Sequence, residues 1–210
     1  MFLPVESGMY LAITLFAISS TITPGPNNIM IMTSGLNFGI KKSLPHFFGI
    51  CLGFPVMVIL VGLGFSLLFT KYPLFHETIK IAGVLYLIYL AWLVAHSAEA
   101  SSVNKPAKPL SFINAALFQW VNPKAWVMAT GAISAYTSAA SDIAIQVISI
   151  AVIFCLMAFP CVGTWMVFGA GLRKYLHDPK HQKAFNITMA SLLIMSIIPV
   201  INELITEYFF

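Results

Sequence analysis

Six apolar runs, each long enough to cross a membrane, dominate the sequence. They cover about 8–33, 45–69, 74–96, 110–137, 143–170 and 184–205. A spanning helix needs roughly 20 apolar residues. Only 9% of the residues are charged, whereas a soluble domain carries about 25%. Because so little polar surface cannot cover a globule in water, we predict an all-α, polytopic membrane protein with six transmembrane helices.

The loops between these runs carry the positive charge on one side. Cytoplasmic loops of membrane proteins are enriched in Lys and Arg. The first, third and fifth loops hold eight cations: Lys41, Lys42, Lys105, Lys108, Arg173, Lys174, Lys180 and Lys183. The opposite side holds only Lys71, in the second loop, and Lys80, near the start of the third span. We therefore expect both termini to face away from the cytoplasm. The net charge of +4 is modest and lies in loops, so we expect lipid and no nucleic acid as a partner.

Two of the runs are interrupted by proline. The first interruption is "TITPGPNNIM", beginning at Thr21, and the second is "NPK", beginning at Asn122. Proline has no N–H, and its ring clashes with the carbonyl four residues back, so Pro24 and Pro26 free the carbonyls of Ser20 and Ile22. Such carbonyls are tolerated inside a membrane only where protein buries them or where they line a wet cavity.

Each interruption has the pattern of a helix N-terminus. We expect Thr23 to cap a new helix with Pro24 at its first position, and Asn122 to cap another with Pro123 at its first position. Such ends carry partial positive charge and unpaired N–H donors, and Lys124 adds a full charge. We therefore predict a site for a substrate carboxylate inside the membrane. The candidate substrate-binding residues are Pro24, Gly25, Pro26, Asn27, Asn28, Gln119, Asn122, Pro123 and Lys124. Trp120 and Trp126 flank the second interruption and are further candidates for its lining.

Two simpler interpretations remain open at this stage. The Pro-Gly-Pro sequence could only kink a spanning helix. The "NPK" sequence could be an interfacial turn from which Lys124 extends to the lipid headgroups.

Similar features recur in the two halves of the chain. The pairs Asn28 and Asn122, Pro55 and Pro160, and Gly83 and Ala190 are separated by 94, 105 and 107 residues. Three spans per repeat force the halves into opposite orientations, as in many secondary transporters with broken helices at the midplane. We predict a single transmembrane domain, 1–210, built as a 3+3 inverted repeat with broken helices 1 and 4: repeat A at about 1–96, a linker at 97–109 and repeat B at about 110–210. Chance similarity between apolar segments is the alternative.

The motifs "TPGPNN", "YLAW", "KPLSF" and "NPKAW" resemble those of the LysE/RhtB family of amino-acid exporters. The resemblance covers nearly the whole chain and implies six spans in a bacterial inner membrane and export driven by the proton motive force. The branch that exports lysine and arginine carries an acid six positions after the Asn of its "NP" motif, where this chain has Met128. Since no Asp or Glu lies in the middle of a predicted span, the chain is more similar to the branch that exports neutral substrates such as cysteine and O-acetylserine. Lys124 is then the candidate proton carrier, because desolvation disfavours a charged ammonium.

Other functions receive little support from the residues. His177 and His181 have a spacing seen in metal sites, but no further ligand gathers near them, so we predict neither a metal nor another cofactor. His46 and His96 lie near span ends and are interpreted as interfacial. The glycine pairs in "VGLGF" and "FGAGL" indicate close helix packing. No nucleophile with a base occurs within a span, so we expect no enzyme. A channel or a structural membrane protein is the alternative function, and a homo-oligomer is left open.

Overall fold

The computed structural model describes residues 7–65, 71, 73–96, 108–138, 142–172, 175 and 178–209. Over this part of the chain the regular structure is helical, with no strand. The long helices are α1 (Ser7–Ile22), α2 (Pro26–Leu60), α3 (Pro73–His96), α5 (Pro123–Tyr136), α6 (Ile143–Leu172) and α7 (Pro179–Phe209). A short helix, α4 (Phe112–Phe118), continues through a 3₁₀ turn at Gln119–Val121 towards α5. The all-helical prediction is confirmed.

The helix α2 consists of two segments joined at Gly39. This residue has φ 76° and ψ 171°, a left-handed φ that glycine adopts without a Cβ penalty. The predicted break between the first two spans falls at this position, but the predicted loop at 37–43 is reduced to one non-helical residue, which is enough to redirect the chain. The second segment passes into a π-helical turn, Val61–Phe65, which contains Gly64 at φ 112°.

The helices α2 and α6 form the centre of the bundle. They pack along their length, and α3 packs against α7. The helix α4 lies against α2, and α1 lies against α6. At Gly35 a Cβ would overlap the carbonyl oxygen of Met166, and at Gly169 a Cβ would overlap that of Met32. The two backbones therefore touch, as small residues allow in membrane helices.

The surface and the interior have the polarity expected in lipid. Large apolar side chains are exposed, including Val127 at 70% and Ile113 at 65%. Polar side chains are buried, including Gln119, Asn122 and Asn186. This distribution is the reverse of the one that covers a soluble protein, where large exposed apolar patches are rare.

Two helices within the described residues are long and apolar enough to cross a membrane, Pro26–Gly64 and Ile143–Leu172. Three shorter apolar helices lie at Gly8–Ile22, Ile81–His96 and Phe112–Val121. The described parts of all six predicted spans are helical, apart from the interruptions within spans one and four and the terminal residues of span four. The predicted loop at 137–142 is confirmed where it is described, whereas the predicted loop at 173–183 ends earlier, because α7 begins at Pro179.

Candidate functional site

The first interruption separates α1 from α2 by three residues, Thr23, Pro24 and Gly25. The helix α2 begins at Pro26, and its N-cap is Gly25, with no side-chain cap. The predicted cap at Thr23 is therefore wrong by two positions. Gly25 has φ 179°, an extended conformation open to any residue, so its glycine serves another purpose. A Cβ there would lie 2.7 Å from Cδ of Lys124, and the absence of one leaves room for the lysine stem.

The carbonyls freed by the prolines all find donors. The Ser20 carbonyl accepts from Oγ1 of Thr23 at 2.9 Å, and the Ile22 carbonyl accepts from Nε1 of Trp165 at 3.0 Å. Nδ2 of Asn28 donates to the carbonyls of Thr21 and Thr23, each at 2.8 Å. The end of α1 is therefore satisfied by side chains from elsewhere in the bundle, as buried backbone in a membrane requires.

The second interruption follows the predicted pattern. Asn122 is the N-cap of α5, and its Oδ1 accepts from the backbone N–H of Lys124 at 3.1 Å. Pro123 is the first residue of the helix. A backbone N–H at this position would have no partner within the helix, so its absence in proline costs no hydrogen bond. Trp126 donates through Nε1 to the carbonyl of Trp120 at 2.8 Å. Neither tryptophan is among the residues that line the cavity described below.

Lys124 joins the two interruptions. Its Nζ donates to the Thr23 carbonyl at 2.7 Å, to Oγ1 of Thr23 at 2.8 Å and to the Pro24 carbonyl at 3.3 Å. All three donors of the ammonium thus have acceptors, at the C-terminal end of α1, where the helix dipole favours a cation. Lys124 is half-buried, and its Nζ bonds within the bundle at the first interruption. These bonds favour a role at the interruptions over the interfacial interpretation.

A second pair of side chains links the same two regions. Nδ2 of Asn27 donates to Oε1 of Gln119 at 2.8 Å, and Nε2 of Gln119 donates back to Oδ1 of Asn27 at 3.2 Å. Gln119 also donates to the Ala115 carbonyl at 2.9 Å. Because its side chain is fully buried, Gln119 fixes Asn27 and is not itself part of the cavity wall.

A cavity lies between the two interruptions, with about 420 Å³ of space between atoms, part of it open to the outside. Five of the nine predicted site residues line it: Gly25, Asn27, Asn28, Asn122 and Lys124. Pro24, Pro26, Gln119 and Pro123 lie at the interruptions but are not among its lining residues. The apolar part of the wall includes Phe54, Met128 and Val162.

Thr21 is a candidate that sequence reasoning missed. It lines the cavity, and its Oγ1 is buried with no hydrogen-bond partner. A hydroxyl on a helix usually bonds to the carbonyl four residues back, as Ser20 does with Phe16 at 2.6 Å. The one signal in the sequence that could have suggested Thr21 is its position three residues before Pro24, where the helix ends.

Long apolar helices whose two interruptions meet at a polar cavity define a class of protein, the membrane translocators. The chain belongs to the LysE type translocator family, whose family model matches residues 18–197. It is 27% identical over 180 residues to proteins named cysteine/O-acetylserine efflux protein from Escherichia coli strain K12 and from Shigella sonnei strain Ss046, an alignment that covers 85% of this chain and 90% of each relative. No solved structure matches the chain.

Proposed function

We propose that this protein exports small neutral amino acids or their derivatives from the cytoplasm, using the proton motive force. The observation that carries the proposal is the meeting of both chain interruptions at one polar cavity in a member of a translocator family. The names of its relatives, cysteine/O-acetylserine efflux protein, support a small neutral substrate.

The cavity offers the groups that an amino acid needs. Asn28 and Asn122 supply amides, the Thr21 hydroxyl is unpartnered, and Lys124 supplies a positive charge. Since all three donors of Lys124 are already engaged, a substrate carboxylate has to replace one of its acceptors. Binding would thereby loosen the link between the two interruptions, which is a direct route from substrate binding to a change of conformation.

The side of the cavity at Met128 supports a neutral substrate. Met128 lines the cavity. In the branch of the family that exports basic amino acids, an acidic residue occupies the corresponding position. A cationic side chain inside a membrane needs a counter-ion, and the described cavity wall includes no carboxylate.

The packing supports the inverted repeat. In the repeat, α1 and the first segment of α2 correspond to α4 and α5, the second segment of α2 corresponds to α6, and α3 corresponds to α7. The contact of α1 with α6 is then the counterpart of the contact of α4 with α2. Exchanging the two halves of the chain also leaves the contact between α2 and α6 and the contact between α3 and α7 unchanged. We propose that this exchange reflects a 3+3 inverted repeat within one domain, 1–210, that crosses the bacterial inner membrane six times.

The first prediction tests the substrate class. Expression in bacteria should protect growth against toxic neutral amino-acid analogues and leave sensitivity to a lysine analogue unchanged. Met128→Asp should reverse this preference, because it places a carboxylate on the cavity wall, and Met128→Leu should preserve it. Equal or stronger protection against the lysine analogue by the unaltered protein would contradict the proposal. Protection that an uncoupler leaves intact would indicate a channel.

The second prediction tests the orientation, which rests on the positive charge of the odd-numbered loops. In a background without the three cysteines Cys51, Cys155 and Cys161, we would introduce Ser138→Cys or Tyr175→Cys, both exposed and in predicted loops four and five. An impermeant thiol reagent added to whole cells should label position 138 and not position 175. Reversed labelling would invert the proposed orientation, and labelling at both positions would contradict six spans.

A further inference from the structure

A second cavity lies on the far side of the first segment of α2, with about 590 Å³ of space between atoms, part of it open. It shares no lining residue with the cavity at the interruptions. Its wall is formed by α2, α3 and the residues just before α4, and includes Ser34, Asn37, His46 and Lys108. These residues lie towards the loops that we place in the cytoplasm.

His46 is the unusual member of this wall. Its side chain is only 1% exposed, so the interpretation of His46 as an interfacial residue is wrong. Its Nδ1 lies 2.9 Å from Oγ of Ser34, and its Nε2 is buried with no hydrogen-bond partner. A buried polar atom left without a partner costs about 1–3 kcal/mol. An imidazole that only filled space would be replaced without loss by an apolar side chain of similar size.

The kink at Gly39 creates the contact between Ser34 and His46. In a straight helix, 12 residues correspond to a separation of about 18 Å along the axis. The left-handed φ of Gly39 turns the second segment of α2 so that the two side chains meet. The distance alone fixes no tautomer. With the Ser34 oxygen as acceptor, Nδ1 carries the imidazole proton and the lone pair of Nε2 is available.

We propose that His46 is the proton-carrying residue of the transport cycle, an inference that rests on the proposed export function. When the second cavity admits water, the Nε2 lone pair takes a proton from the aqueous side and the imidazole becomes an imidazolium. The proton returns to water on the other side after the conformational change, and Nε2 regains its lone pair. No other reactant is required. A histidine in contact with water changes its charge near neutral pH, so the proposed step requires water to reach Nε2.

The surroundings of His46 distinguish it from Lys124. Among the described residues that line this cavity, the one charged group is Lys108, and Thr33, Ser34 and Asn37 are neutral. Lys41 and Lys42, on the same helix, point outward and are exposed. An imidazolium therefore finds no carboxylate on the described wall, and an unpaired buried charge is costly, so proton binding depends on access to water. The ammonium of Lys124, by contrast, already has three acceptors, which stabilise its charged form.

The third prediction separates proton coupling from substrate binding. The purified full chain is reconstituted in liposomes with labelled O-acetylserine, and two fluxes are compared: exchange of labelled for unlabelled substrate at equal pH, and net transport driven by an imposed pH gradient. His46→Gln should lower the driven flux at least tenfold and keep exchange within about twofold of the unaltered protein. Ser34→Ala, which removes the partner of Nδ1, should shift the pH dependence of the driven flux without lowering exchange.

The matched control is His96→Gln. His96 is exposed, and its Nδ1 lies 2.8 Å from the Trp92 carbonyl of its own helix, so both fluxes should persist. Net transport driven by the pH gradient that persists in His46→Gln would overturn the inference. Loss of both fluxes in His46→Gln and in His46→Asn would overturn it as well, because exchange does not require a proton carrier. Absence of exchange in the unaltered protein would refute the export function instead.

Discussion

Lys124→Ala is expected to abolish export while leaving the protein in the membrane. The substitution removes three donated hydrogen bonds that hold the end of α1 against the start of α5. It also removes the positive charge proposed to bind the substrate carboxylate. A hydrogen bond to a charged group is worth about 1.5–3 kcal/mol, or roughly 10- to 150-fold in affinity. We expect the efflux rate, measured at matched protein level, to fall at least tenfold.

Lys124→Arg should also export poorly. The stem of Lys124 passes directly over Gly25, and a guanidinium is a planar fork larger than the compact ammonium. It cannot place three donors on the same two residues. Lys180→Ala is the matched control, since Lys180 is exposed at the start of α7 and should be replaceable without loss. Near-normal export by both Lys124 variants would remove Lys124 from the site.

Gly25 provides a second test of the same contact. Its extended φ accommodates alanine, so Gly25→Ala acts only through the added Cβ, which meets the lysine stem. Gly25→Ala alone should therefore weaken export and lower the melting temperature. In the Lys124→Ala background, where export is already lost, the same change should not lower the melting temperature further, because the clash no longer exists. This non-additivity is the expected signature of two residues in contact.

The local parts of this structure could be predicted from the sequence. The cap at Asn122 and the first helical position of Pro123 follow from rules that involve neighbouring residues only. The need to satisfy the carbonyls of Ser20 and Ile22 follows from proline chemistry in the same way. The start of α2 was predicted two residues early. The cap is Gly25, whose missing Cβ leaves room for Lys124, a residue about 100 positions away in the sequence.

The long-range parts could not be predicted. Nothing near His46 in the sequence indicates that a single left-handed glycine will bring it against Ser34. Gln119 was predicted to face the cavity, but it supports Asn27 from behind. The donors to the free carbonyls, Trp165 and Asn28, come from α6 and from the next helix. In each case, the hydrogen-bond partner depends on how the helices pack, and the apolar periodicity of the sequence does not specify that packing.

The glycines of "FGAGL" lead to the other large expected effect, in which two neighbouring substitutions have opposite signs. A Cβ at Gly169 would overlap the carbonyl oxygen of Met32, whereas a Cβ at Gly171 would have no atom within 4 Å. Alanine is favoured over glycine in a helix by about 1 kcal/mol. Gly171→Ala should therefore be neutral or stabilising. Gly169→Ala gains the same propensity but must push the two central helices apart.

Overpacking a well-packed contact typically costs about 1–3 kcal/mol, and here the obstacle is backbone, which cannot rotate away. We expect Gly169→Ala to lower the yield of monodisperse protein in mild detergent at least tenfold and to lower its melting temperature, with Gly171→Ala at or above the unaltered protein. Gly35 faces Met166 at the same crossing, so Gly35→Ala should act alike. Either alanine alone should already separate α2 from α6, so the second has less to displace. The double variant should therefore lose less stability than the sum of the losses of the two single variants. Equal stability of Gly169→Ala and Gly171→Ala would show that α2 and α6 do not touch through their backbones, and would contradict the close crossing of these two helices.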